Sequence, residues 1–266
     1  MKNRLTALFN KKTSNLLNIY FTAGYPQKDS TRTVLKALQD GGADIVEIGM
    51  PYSDPVADGP TIQESNMKAI DNGMTLKLLL EQLEGMREEI DVPILLMGYI
   101  NPVMQYGVEH FCQKAAEVGV DGLILPDLPV FEYNELYRET FEKYNLSIIF
   151  MVTPQTPDER LKHVDQSSNG FIYAVSTSST TGNAEAVTDE EKQTVYFNRL
   201  KNSGLNNPVL IGFNIRDHAS FSRACQYTHG AIVGTAYIRQ LSKGGNIEAS
   251  TKEFVDALRY GEKQEN

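Results

Sequence analysis

The sequence predicts an α/β fold, a single (β/α)8 TIM barrel, on three observations. Eight short apolar runs recur along its 266 residues. They are nearly continuous rather than alternating, as strands covered on both faces of a parallel sheet are. Helix-patterned stretches separate them, and eight strand–helix units in roughly 250 residues match the specification of such a barrel. A doubly wound sheet is the rival arrangement of the same elements. No Pro/Gly/Ser-rich linker, composition shift or low-complexity tract divides the chain, so residues 1–266 read as one domain.

The runs lie at 16–24, 44–51, 92–99, 122–127, 146–154, 170–176, 208–215 and 230–238. Between the first two, Val34, Leu35 and Leu38 have helical spacing before Gly41 and Gly42. Leu78, Leu79, Leu83 and Met86 repeat that spacing across 75–90. The longest polar connection, at about 177–194, follows the sixth run and is either a mobile lid or a plain connector. Its position after a barrel strand favours the lid.

Hydrophobic content of 41% suffices for a sizeable core, and charged content of 22% is ordinary for a globular protein. A net charge of −9 argues against nucleic acid and anionic membrane surfaces. It also offers an anionic substrate no general attraction, so any phosphate must be held by local geometry. Cys112 and Cys225 lack metal spacing and read as free thiols of a reducing cytoplasm. Neither a signal peptide nor a stretch of about 18 apolar residues is evident.

Glu47 is the anomaly. It sits in the apolar run Asp-Ile-Val-Glu-Ile-Gly, where alternation puts Ile45, Glu47 and Gly49 on one face. An ionised carboxylate there costs several kcal/mol unless it is paired or its pKa rises, as in. None of the eight runs contains Lys, Arg or His, so a structural ion pair has only Arg216 and Arg239, just after strands, as partners. An unpaired Glu47 suits a general acid/base. In the following loop, Asp54 and Asp58 sit among Pro and Gly; Asp58 is either a turn residue or a second working carboxylate. Gly212, Phe213 and Asn214 end the seventh run, Gly234 and Thr235 fall within the eighth, and Thr181 and Gly182 follow the sixth. Loops after strands seven and eight commonly hold phosphate; tight packing is the alternative reading of these glycines. Tyr20, Tyr99 and Tyr173 sit near strand ends and either cap the core or line one pocket for a planar ligand. His110, His163, His218 and His229 show no spacing for a metal or a triad.

The segment 46–63, Val-Glu-Ile-Gly-Met-Pro-Tyr-Ser-Asp-Pro-Val-Ala-Asp-Gly-Pro-Thr-Ile-Gln, closely resembles the signature of the tryptophan synthase alpha subunit family. Similarity runs on through Phe-Thr-Ala-Gly-Tyr-Pro at 21–26, Pro-Asp-Leu-Pro at 126–129, and Gly212 with Phe213. The resemblance implies a (β/α)8 lyase that cleaves indole-3-glycerol phosphate to indole and glyceraldehyde 3-phosphate. By position, Glu47 would be the acid/base and Asp58 would hold the indole N–H. Thr181, Gly182, Phe213, Asn214, Gly234 and Thr235 would surround the phosphate, while Tyr20, Ile62, Tyr99, Asp127 and Tyr173 would shape the indole pocket. The resemblance also implies a beta subunit partner in an α2β2 assembly. Pyridoxal phosphate is expected only in that partner, and no cofactor or metal in this chain. Two departures stand out: Ser-Thr-Ser-Ser-Thr-Thr-Gly at 176–182 lacks the usual lid Arg, and Gly-Phe-Asn-Ile-Arg at 212–216 replaces Gly-Phe-Gly-Ile-Ser. A lyase acting alone, a non-catalytic regulatory barrel and another phosphate-binding barrel are the competing readings.

Overall fold

The computed structural model describes residues 3–55, 58–176, 189–212 and 214–261. Eight strands close into a barrel in sequence order: β1 (Leu16–Thr22), β2 (Ile45–Gly49), β3 (Ile94–Met97), β4 (Gly122–Ile124), β5 (Ser147–Val152), β6 (Ile172–Val175), β7 (Val209–Gly212) and β8 (Gly230–Val233). Every neighbouring pair is parallel, and β8 returns to β1. The barrel excludes the doubly wound alternative.

Strand parity divides the core in two. Leu16, Ile45, Leu95, Ile124, Ile149, Phe171, Leu210 and Ile232 fill the interior, where Leu5 of the helix Arg4–Lys11 joins them. Residues of the opposite parity, such as Ile19, Val46, Ile48 and Leu96, join the second, larger cluster under the surrounding helices. Both faces of each strand are therefore dry, which is why the runs look continuous in sequence. Each fully buried Leu or Ile contributes about 1.5–3 kcal/mol to holding this arrangement.

Three expectations need correction. The eighth run is not all strand: β8 stops at Val233, so Gly234 and Thr235 lie beyond it, and Thr235 opens the helix Thr235–Ser242. Tyr237 and Ile238, which prolong the run, are the buried face of that helix. A short apolar run does not by itself distinguish a strand from a buried helical turn. The stretch 75–90 splits into the helix Leu76–Gln82 and a turn at Met86–Glu88, with Gly85 between them at φ +69°. The connection at 177–194 is also shorter than expected, because the helix Asp189–Asn202 begins inside it. Residues 177–188 lie outside the described residues.

At the end of the barrel where strands begin, Asp121 is 2% exposed and bridges Arg87 at 2.6 Å and Arg4 at 3.2 Å. It also accepts the backbone N–H of Ile94 at 2.9 Å, tying β3 to the turn before β4. Burial pulls the Arg87 guanidinium down to about 10, and the Asp121 charge opposes that fall. Removing one partner of such a pair leaves a buried charge uncompensated. Asp121→Ala is therefore expected to lower unfolding stability by about 3 kcal/mol, with the working end of the barrel unaltered. Denaturant unfolding read beside the catalytic rate of the folded variant checks this.

Candidate active site

At the opposite end, a cavity of about 320 Å³ opens at the C-terminal ends of the strands. Glu47 lines its floor, and Tyr20, Tyr173 and Asp58 stand around it. β1 and β2 pair so that Tyr20 lies opposite Glu47, both on the interior parity. Small residues make room for the two rings. A β-carbon on Gly49 would lie 2.1 Å from the Tyr20 hydroxyl, and one on Gly212 would lie 2.4 Å from the Tyr173 ring. Neither position tolerates a side chain unless its tyrosine moves.

Glu47 is fully buried. Its Oε1 accepts a hydrogen bond from Asn18 Nδ2, while Oε2 has no partner among the described residues. Burial pushes its carboxyl up to about 8, and the Asn18 bond opposes that rise. None of the described cations forms an ion pair with it. Arg216 lies 3.6 Å from Asp217, and Arg239 donates to Thr61 at 3.4 Å. The structural-pair reading of Glu47 finds no support among the described residues.

Asp58 precedes the helix Pro60–Asp71, which Pro60 opens at its first position. The residue is half-buried, accepts from the Tyr99 hydroxyl at 3.3 Å, and has its carboxyl raised by burial to about 6. Two carboxyls thus face one cavity in environments that separate their protonation, a recurring arrangement for acid/base work. Burial also pushes the Tyr20 and Tyr173 phenols well above their usual range, and the charges of Glu47 and Asp58 add to it. Both rings face the ligand as neutral, largely apolar walls.

The cavity is also lined by Asn214, Gly234 and Thr235. Asn214 has φ +57°, in the left-handed region where Asn is among the least strained non-glycine residues. Its backbone thus keeps a conformation that the usual glycine would also favour. The helix Thr235–Ser242 opens here without a side-chain cap. By contrast, the helix His218–Tyr227 is capped by Asp217, which accepts from Ser220 N–H at 2.9 Å. The opening of Thr235–Ser242 therefore leaves its first N–H groups and positive dipole end available to an anion.

The cavity brings together Tyr20, Glu47, Asp58, Ile62, Tyr173, Asn214, Gly234 and Thr235. Tyr99 lines a small adjoining pocket that Tyr20 and Asp58 share. Asp127 does not line the cavity; its carboxylate is exposed and caps the helix Ile100–Tyr106 by accepting Ile100 N–H at 3.0 Å. Thr181, Gly182 and Phe213 lie outside the described residues. The sequence reading passed over Met97 and Ile232, which line the cavity, and Asn18 beneath it. Parity was the available signal for Asn18, a lone amide on the same strand face as Tyr20.

A model of the family described as tryptophan synthase alpha chain matches residues 6–265. The chain belongs to that family. The alpha chain of Flavobacterium psychrophilum is 49% identical over 93% of this chain and 96% of its own length. That of Christiangramia forsetii is 50% identical over 91% and 94%. The crystal structure of the alpha subunit from Legionella pneumophila superposes with a TM-score of 0.86 at 30% identity, covering 98% of each chain. Tryptophan synthase from M. tuberculosis in its aminoacrylate-bound form gives 0.84 at 30% identity, covering 98% of this chain and 99% of that one.

The raised carboxyl of Glu47 makes stability depend on pH. The unfolded chain loses this proton near the ordinary value of 4.5, and the folded chain holds it to about 8. Folding stability from this group is intact below the unfolded value and declines as pH rises to the folded one. Glu47→Gln removes the ionisation, so the variant should gain in relative stability from about pH 4.5 to about pH 8, with no further gain above. Thermal unfolding of both proteins across that range measures it.

Proposed function

We infer that the chain is the lyase of its family, cleaving the carbon–carbon bond of indole-3-glycerol phosphate to release indole and glyceraldehyde 3-phosphate. The observation that carries this reading is the pair Glu47 and Asp58, held at one cavity in different protonation environments. Family membership supplies the substrate.

The reaction adds a proton to indole C3, breaks the bond from C3 to the hydroxyl-bearing carbon, and removes the proton of that hydroxyl. The bonding electrons go to the indole and the carbon becomes the aldehyde. One group that gives a proton and then takes one can serve both transfers. Glu47, protonated up to about pH 8, starts as the acid. As C3 takes its proton, positive charge develops on the indole nitrogen, and ionised Asp58 stabilises it through the N–H. Tyr20, Tyr173 and Ile62 give the neutral ring apolar walls, while Tyr99 steadies Asp58. The phosphate is assigned to the uncapped helix opening at Gly234 and Thr235, with Asn214 beside it. Arg216 and Arg239, which also line the cavity, add cations that the overall charge of −9 does not. Thr181, Gly182 and Phe213 are assigned to the same phosphate by family pattern.

This chain works beside a beta subunit, to which it passes indole; two copies of each form the assembly we propose. Pyridoxal phosphate belongs to that partner, since proton transfer and carbon–carbon cleavage at indole need no further electron sink. An exposed apolar set supports a docking face: Met104 is 53% exposed, Phe131 65% and Leu136 64%. These residues lie in the helices that follow β3 and β4. Asn101 on the Met104 helix donates to the Tyr52 hydroxyl at 3.1 Å, reaching the loop that carries Asp58. A cytoplasmic setting fits the free thiols of Cys112 and Cys225. No helix among the described residues is long and apolar enough to cross a membrane.

Indole release should follow a bell-shaped pH profile in kcat/KM. It rises through about pH 6 as Asp58 ionises and falls through about pH 8 as Glu47 loses its proton. Glu47→Gln should reduce indole release by roughly a hundred- to ten-thousandfold while retaining the fold, as loss of an acid/base group does. A folded Glu47→Gln variant with near-normal turnover would remove Glu47 from the chemistry.

A further inference from the structure

Asn18 stands among the few polar side chains of a mostly apolar barrel interior. It lies on β1 between Leu16 and Tyr20 in interior parity, opposite Ile45, and is fully buried. Its Nδ2 donates to Glu47 Oε1, while its own Oδ1 has no partner among the described residues. Glu47 Oε2 is likewise unpartnered. Two orphaned oxygens in a dry layer cost stability that a Val or Leu at position 18 would avoid.

The chemistry of the pair explains why an amide suits this place. A general acid/base must spend part of each turnover as a carboxylate and part as a carboxylic acid. The carboxylate needs a donor and the acid needs an acceptor. A carboxamide carries one of each on a planar group of nearly constant shape, and half a turn about its last bond exchanges them. An Arg or Lys there would hold Glu47 ionised, and a second acid would force the two to share a proton.

We propose that Asn18 is the positioning residue of Glu47, donating through Nδ2 to the carboxylate and, turned over, accepting through Oδ1 from the carboxylic acid. This inference rests on the acid/base role proposed for Glu47. The other groups facing Glu47 leave that task to Asn18. Tyr20 from β1 shares a 3.3 Å hydrogen bond with the Thr22 hydroxyl, and Thr22 lies 2.6 Å from Ser65. Asp58, from the loop after β2, takes the Tyr99 hydroxyl. Tyr173 approaches from β6 as a neutral phenol, and β3 places Leu95 beside Glu47 in the ladder. Arg216 and Arg239 lie at the cavity mouth, engaged with Asp217 and Thr61. Among the described residues, burial raises the Glu47 carboxyl and the Asn18 hydrogen bond opposes that rise.

Val and Thr at position 18 give a matched test, since they share a shape and differ by one hydroxyl that both donates and accepts. The Glu47 carboxyl is followed by infrared absorption of its protonated form across pH, with Glu47→Gln assigning the band. Asn18→Val should raise the ionisation midpoint by about one to two pH units and lower kcat for indole release by roughly ten- to hundredfold. Its alkaline limb in kcat/KM should move up with the midpoint. Asn18→Thr should return the midpoint and most of the rate. An unmoved midpoint in Asn18→Val, or equal rate losses in the Val and Thr variants, would overturn the proposal. Should Asn18→Val not fold, Asn18→Ala against Asn18→Ser makes the same comparison. A wild-type protein that releases no indole would defeat the functional reading instead, and the infrared midpoints would still report on Asn18.

Discussion

A carboxyl enclosed by an apolar barrel cannot ionise cheaply, and the working end of this protein is organised around that constraint. In water Glu47 would be charged at neutral pH. Among buried side chains with no described cation paired to it, it keeps its proton to about pH 8. Interior apolar packing, which stabilises the fold, is thus also what keeps the group protonated near neutral pH. The same physics sets a limit, because more donors would favour the charged form and an ion pair would fix it there.

The surroundings of Glu47 follow from the barrel's geometry. Parallel strands in unbroken order place Tyr20 beside Glu47, while the missing side chains of Gly49 and Gly212 leave room for the Tyr20 and Tyr173 rings. Asp58 is carried by the turn before Pro60, outside the strand layer, and there its carboxyl reaches only about 6. Depth in the barrel separates the two acids. An uncapped helix opening at Gly234 and Thr235 offers N–H groups to the cavity without any buried charge.

Much of this was legible in the sequence. Strands dry on both faces leave continuous apolar runs, so eight of them announced the barrel, and parity alone turned Glu47 inward. What escaped depends on contacts between strands distant in sequence. The Asn18–Glu47 bond needs the register of β1 on β2, in which Asn18 faces Ile45, one step below Tyr20 and Glu47. The Tyr99–Asp58 bond needs β3 brought beside the loop after β2. The end of β8 was misplaced because Tyr237 and Ile238 are as apolar in a helix as in a strand. Asp127 resembled a pocket residue by pattern, whereas its carboxylate caps the helix at Ile100.

The central claim is that Glu47 and Asp58 address opposite sides of one bound indole ring. A crystal structure with a non-cleavable indole-bearing phosphate, lacking the side-chain hydroxyl, tests it most directly. The account predicts the ring between Tyr20 and Tyr173, a Glu47 oxygen facing C3, Asp58 at hydrogen-bond distance from the ring nitrogen, and phosphate over Gly234 and Thr235. A ring nitrogen turned away from Asp58, or a C3 out of reach of Glu47, would contradict it.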